Sequence, residues 1–263
     1  MIVSAALIPH SPLLLPSIGK DAHDMLVKTL EGLATLKASC ANLGVDTVVL
    51  IKTPEQGRRR RTVFELQLAQ QYCVDVSKFG DLVTKGSFAC DTVLGTEIKG
   101  NIRDAHISLA LISNDYPEYT AGIPLLTLFE GLPIKVVIVQ PPDTDTRALF
   151  AFGCALTSTL QRSAKRIICL AAGDCAHCVK KGKKEEHEKI CLPFDYMFID
   201  ALRKKAPDAL LSIKREDVRR LNACAVQPSI VLRGILDSLS WNTHLLSYEA
   251  PFGVGYTVLE YRV

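Results

Sequence analysis

Short, uninterrupted apolar runs alternate along this chain with longer stretches of helical periodicity. Residues 2–8, Ile-Val-Ser-Ala-Ala-Leu-Ile, form the first run and predict a buried strand that stops at Pro9-His10. Apolar positions at Met25, Leu26, Leu30, Leu33, Leu36 and Cys40 then recur at helical spacing, and Gly44 supplies the stop, so a helix is predicted over 21–43. A second buried strand is predicted at 47–51, followed by the loop 52–57. Further strands are predicted at 107–112, 135–139 and 166–170, and helices at 146–162, 195–205, 215–222 and 228–239. The chain closes on two more apolar segments, 244–248 and 255–261, the second read as a terminal strand. Strands alternating with helices imply an α/β fold with a largely buried sheet. No Gly/Ser/Pro-rich linker and no fixed-period repeat divides it, so one domain is expected over 1–263. The polar run 180–189 reads as a surface loop or the start of a solvated helix.

Composition narrows the class. The 263 residues are 48% hydrophobic, which is enough for a filled core and excludes a disordered chain. A net charge of only +3 gives no global field for nucleic acid. The one basic cluster, Arg58 to Arg61, reads first as a solvated loop and second as a phosphate or carboxylate contact. Nine cysteines, an odd number without regular spacing, do not read as a disulfide framework. Cys154 and Cys169 lie inside apolar runs, where the thiol acts as a small hydrophobe. A reducing compartment follows, and the cytoplasm is the expected location. Prolines at 9, 12 and 16 and the missing basic flank argue against a signal peptide. No apolar run reaches the 18 residues expected of a membrane helix.

The candidate chemistry gathers at predicted strand ends. His10 follows the first strand, Glu55 lies in the loop after the second, and Gly173-Asp174-Cys175-Ala176-His177 follows the run 166–172. In open α/β sheets, ligands are held at the carboxyl ends of the strands. Asp174 can orient the His177 imidazole, which can then move a proton near neutral pH. The plainer alternative makes Asp174 a helix cap and His177 a surface residue. Two histidines and a carboxylate are also the ligand set of non-haem Fe(II) sites. A separate series, Cys175, Cys178, His187 and Cys191, has the ligand types of a zinc site, though incidental cysteines account for it equally simply.

The segment Leu7-Ile-Pro-His-Ser-Pro-Leu-Leu-Leu-Pro16 resembles the opening of the class III extradiol ring-cleavage dioxygenases of the catalytic B-subunit type. Thr47–Ile51 with its loop, Ala172–His177 and the ending Leu246–Tyr256 are similar to the same family in the same order, and the Memo family is similar more distantly. The resemblance implies a single three-layer α/β/α domain with a mixed central sheet and an active site at one sheet edge. It also implies Fe(II) held by two histidines and a glutamate, beside an acid/base histidine. On that basis His10 matches the first metal histidine, and His177, partnered by Asp174, matches the acid/base.

Three positions depart from the family pattern. Glu55 follows Thr53-Pro54 where the second metal histidine belongs, Ala223 stands where the metal glutamate belongs, and Tyr119 replaces a further active-site histidine. The metal could then be held by His10 and Glu55 with a third ligand from His177, or Cys224, which matches a metal-proximal cysteine of the Memo family, could ligate as a thiolate. A thiolate ligand would favour copper or zinc over Fe(II). Tyr119 could donate a hydrogen bond to a bound oxyanion. The expected function is a divergent, metal-dependent oxidoreductase acting on a small aromatic or enol substrate with Fe(II) or another divalent metal. The alternative is a non-catalytic homologue without metal that binds a small molecule. The expected partners are that substrate or ligand and either a second copy of the chain or a related subunit. Nucleic acid and membrane are not among them.

Overall fold

The computed structural model describes residues 1–53, 62–104, 107–178 and 187–263. Ten strands form one sheet: β1 (Ile2–Ile8), β2 (Thr47–Lys52), β3 (Phe64–Leu68), β4 (Gln71–Asp75), β5 (Lys85–Cys90), β6 (Leu109–Ser113), β7 (Lys135–Gln140), β8 (Ile167–Ala172), β9 (Asn242–Glu249) and β10 (Tyr256–Arg262). Nine helices are found among the described residues: α1 (Pro16–Gly19), α2 (Val27–Asn42), α3 (Thr92–Asp104), α4 (Tyr119–Phe129), α5 (Thr146–Arg162), α6 (Leu192–Arg203), α7 (Asp208–Leu211), α8 (Arg215–Arg220) and α9 (Val226–Leu236). Along the main path the strand order is β4-β5-β7-β2-β8-β1-β10-β9, with β3 joining β7 to β6. The central strands β7, β2, β8 and β1 are parallel, whereas β10 and β9 add on antiparallel.

Burial explains the apolar runs. β2 and β8 are covered on both faces, so every residue in them is buried and neither strand alternates. Successive side chains nevertheless divide between two cores. Val49, Ile51, Val137, Cys169 and Ala171 face α3, α5 and α9 on one side. Val48, Leu50, Val136, Ile168 and Leu170 face α2 and α4 on the other. The result is a three-layer α/β/α domain with a mixed sheet, as expected from the sequence.

The expected strands are present as β1, β2, β6, β7, β8, β9 and β10, and α5 spans Thr146–Arg162 as expected. The helix expected over 21–43 is divided into a 3-10 turn, Lys20–Met25, and α2. Between them Leu26 leaves the helical backbone region with φ −110°. Its buried side chain packs with Val254 and Tyr256, so a tertiary contact overrides local periodicity. The strands β3 to β5 and the helices α3 and α4 were not expected. β3 buries Glu65 and Gln67 within Phe-Glu-Leu-Gln-Leu, which hides its half-apolar pattern. In α4, nine of eleven residues are buried and Pro124 lies inside the helix, so no polar face marks the period. Most of the polar run 180–189 lies outside the described residues.

The layer behind the sheet depends on one close helix crossing. A Cβ at Gly153 of α5 would stand 2.1 Å from the Val231 carbonyl oxygen of α9 and 2.8 Å from the Gly234 Cα. Backbone cannot yield as a flexible side chain can, so the helices would have to separate. Gly153→Ala is expected to cost about 1–3 kcal/mol by overpacking, seen as a lower urea midpoint. An unchanged midpoint would contradict this crossing.

Candidate functional site

Three adjacent parallel strands set the site. Ile8 of β1 and Lys52 of β2 are both in register with Ala172 of β8. The residues that follow, His10, Thr53 and Gly173-Asp174, therefore emerge together at the carboxyl edge of the sheet, over its centre. They border a cavity of about 270 Å³ that Tyr119, His177, Cys224 and Tyr256 also line.

Asp174 organises this edge. Its Oδ1 accepts the His10 backbone N–H at 3.1 Å, and its Oδ2 lies 3.7 Å from His10 Nε2. Cys224 reaches the same point because the backbone of Ala225 passes directly over Gly173. A Cβ at Gly173 would stand 2.6 Å from the Ala225 Cα, so only glycine allows the approach. The Asp174 N–H then donates to Cys224 Sγ at 3.1 Å, and Sγ lies 3.4 Å from His10 Nε2. His177 is held by its backbone: its N–H donates to the Leu221 carbonyl at 2.7 Å, and it bridges to Val254.

The electrostatics follow from burial. Burial lowers the His10 pKa, the Asp174 charge opposes that shift, and Lys52 adds to it. His177 is lowered first by burial and again by His10, against Asp174. Burial pushes the Cys224 thiol far above its ordinary value, with Asp174 adding to the effect. Both imidazoles are therefore neutral near pH 7 and Cys224 is a protonated thiol. His10 Nδ1 and His177 Nε2 are buried and have no hydrogen-bond partner among the described residues.

Tyr119, at the first position of α4, packs edge-to-face on His10 with ring centroids 5.7 Å apart. The Lys78 ammonium lies 4.2 Å from the centre of the same ring. Glu118, immediately before Tyr119, accepts from the buried Lys52 Nζ at 2.6 Å, and Lys52 also donates to Gln140 Oε1 at 2.5 Å. The Tyr256 hydroxyl donates to Ser11 Oγ at 3.4 Å, and both residues line the cavity.

Of the residues singled out in the sequence, His10, Asp174, His177, Cys224 and Tyr119 meet at this cavity, and Glu55 lies outside the described residues. Asp174 differs from both of its expected roles. It caps no helix, and its hydrogen bond goes to His10, whereas it reaches His177 through charge alone. The cysteine series also departs from expectation, since Cys178 and Cys191 form a disulfide across 13 residues. Cys175 is buried against the Thr257 hydroxyl at 3.2 Å. Spacing alone could not separate a disulfide from a zinc site, because both bring thiols together from loops. Among the described residues no group of three His, Cys, Asp or Glu side chains is placed to hold a metal ion.

Sequence reasoning missed Lys52, Tyr256 and Asp195. Asp195 reads as one polar residue in a helical stretch, yet it is fully buried in α6. Its Oδ1 accepts the Ala176 N–H at 2.8 Å and its Oδ2 accepts the Tyr248 hydroxyl at 2.8 Å. Burial outweighs these bonds and raises its pKa to about 7.

Residues 4–259 match the family described as the catalytic LigB subunit of aromatic ring-opening dioxygenase. The chain belongs to the LigB family. It is thus a member of the class III extradiol dioxygenase superfamily, as its opening and closing motifs imply. It is 20% identical over 268 residues to Protein CA_C1420 of Clostridium acetobutylicum, an alignment covering 97% of this chain and 56% of that protein. The chain thus spans little more than half the length of that relative. The crystal structure of the uncharacterized protein JW3007 from Escherichia coli K12 superposes with a TM-score of 0.61 at 10% identity, covering 98% of this chain and 99% of that one. At that identity the likeness establishes the fold alone. No helix among the described residues is long and apolar enough to cross a membrane.

The LigB family typically uses a divalent metal. The described donors do not fit an Fe(II) set of two histidines and a glutamate. Ala223 is buried and carries no donor, and the neighbouring side chain that reaches His10 Nε2 is the sulfur of Cys224, not a carboxylate.

Proposed function

We propose that this LigB-family chain binds a small aromatic or enolic compound in the cavity beside His10 and moves a proton on it through His177. The observation that carries this reading is that His10 and His177 both line the cavity and that each has a buried ring nitrogen with no hydrogen-bond partner among the described residues. His10 Nε2 lies 3.7 Å from the Asp174 carboxylate; in the tautomer that carries its proton on Nε2, the Nδ1 lone pair is left to accept a phenolic or enolic O–H. His177, neutral and close to Asp174, can take up a proton because the carboxylate stabilises the imidazolium that forms. A cavity of about 270 Å³ suits a single-ring compound. Tyr119 supplies an aromatic wall against which such a ring can pack.

A second reading, the metal-dependent oxidoreductase, is favoured by the 3.4 Å separation of His10 Nε2 and Cys224 Sγ on the same cavity. In that reading His10 and Cys224, with Glu55 from the loop after β2, would hold Fe(II) or another divalent metal. Elemental mass spectrometry of anaerobically purified protein beside His10→Ala separates the two. The proton-transfer reading expects well under one equivalent of metal in both proteins. Near one equivalent, lost in the variant, would overturn it in favour of the oxidoreductase. Metal retained in full by the variant would contradict ligation by His10.

The proposed setting is the cytoplasm, which seven free cysteines favour and the Cys178–Cys191 disulfide does not. The proposed assembly is a homodimer or a pairing with a related subunit, without nucleic acid or membrane as partners.

A further inference from the structure

Asp174, His177, Val254 and Tyr256 line one wall of the cavity, and they belong to two short segments that run beside each other. The Cys175 N–H donates to Gly255 O at 2.8 Å, the Gly255 N–H to Ala176 O at 3.1 Å, and the Cys178 N–H to Gly253 O at 2.6 Å. Apart from Tyr256, which begins β10, this ribbon lies outside the main strands, so its place depends on what it is fastened to.

We infer that Asp195 of α6 is the positioning residue for this wall, fixing the ribbon that carries Asp174 and His177. Three contacts carry the inference. The Asp195 carboxylate accepts the amide of Ala176, which is adjacent to His177 and two residues from Asp174. The facing segment packs on the same carboxylate: a Cβ at Gly255 would stand 2.2 Å from Asp195 Oδ2, beside Val254 and Tyr256. Tyr248 of β9 holds that oxygen from behind and thereby sets the carboxylate plane. Asp195 touches no surface of the cavity itself, so it acts through the backbone of residues 174–177.

The inference deepens the proposed function and rests on it for the role given to His177. Its test needs no ligand. Amide exchange at Ala176 and the imidazole nitrogen shifts of His177 are followed by NMR in the wild type, Asp195→Asn and Asp195→Leu. Asparagine keeps the acceptor oxygen, whereas leucine fills the space without one. Ala176 is expected to remain protected in the wild type and Asp195→Asn. In Asp195→Leu, protection should fall about 10- to 100-fold, the cost of leaving a buried donor without its acceptor. The His177 shifts should move in Asp195→Leu and be restored in Asp195→Asn. Wild-type protection and shifts in a folded Asp195→Leu protein would overturn the inference. If that variant does not fold, Tyr248→Phe takes its place, with a smaller loss at Ala176 and a movement at His177 expected and an unchanged pattern overturning it. A His177 signal that responds to Asp195, in a protein whose cavity binds no phenol, would overturn the proposed function and leave the positioning role standing.

Discussion

Replacing Asp195 with asparagine is expected to make the protein more stable at pH 8 and to flatten its stability between pH 4 and 7. The native carboxyl titrates at about 7, against 3.8 for the ordinary group. Between those values the native state keeps a proton that the unfolded state has released, so stability falls as pH rises. A difference of three units corresponds to about 4 kcal/mol, fully lost once the pH passes 7. Asparagine carries no charge to desolvate, and its oxygen can still accept the Ala176 N–H. The groups facing Asp195 are Tyr248 on β9 and Cys175 after β8, both held in their neutral forms well past this range. His10 and His177 titrate nearby, with lowered pKa values that make stability rise with pH. They are present in both proteins, so the difference between variant and wild type isolates Asp195. Urea unfolding at pH 5 and pH 8 measures it. The same pH dependence in both proteins would contradict the buried-acid assignment.

Lys52→Met is expected to be among the most costly single changes near the site. Lys52 is fully buried at the end of β2, and its partner Glu118 is nearly so. Removing one member of a buried pair takes from the other its buried counter-ion, which typically costs about 3–5 kcal/mol. The consequence extends to the cavity, because Glu118 precedes Tyr119 and the Thr120 hydroxyl donates to Thr53 O at 2.8 Å. The start of α4 and the end of β2 should therefore separate together. Losing Lys52 also removes one of the two influences that lower the His10 pKa. The double variant Lys52→Met/Glu118→Gln should recover part of the stability, since neither charge then remains. A single-variant cost below about 1 kcal/mol in urea unfolding would place this pair effectively in solvent.

The site was legible where its residues follow apolar strands directly. His10, Asp174 and His177 each stand within a few residues of a run buried on both faces, and parallel pairing brings such ends together whatever lies between them. Cys224 was legible only through family resemblance. Its approach depends on Gly173 admitting the backbone of Ala225, a contact between segments about 50 residues apart that leaves no local pattern. Lys52 and Asp195 were not read as buried, because a charged residue in a strand or helix is ordinarily a surface residue. Their partners, Glu118, Gln140 and Tyr248, are distant in sequence. The Asp174–His177 pairing expected from proximity in sequence became an Asp174–His10 hydrogen bond, since the backbone of His10 emerges one strand away from Asp174. In the fold, β2 and β8 were plain from uniform burial, while β3 and α4 were obscured by buried polar residues and by the lack of a polar face.

The most direct test of the central claim is a calorimetric titration of the wild type, His10→Ala and His177→Ala with catechol, each variant first shown to be folded. The account predicts one-site binding by the wild type, weakened about tenfold or more in each variant, as expected for loss of a buried hydrogen-bonding partner. No binding by the wild type, or undiminished binding by both variants, would contradict it.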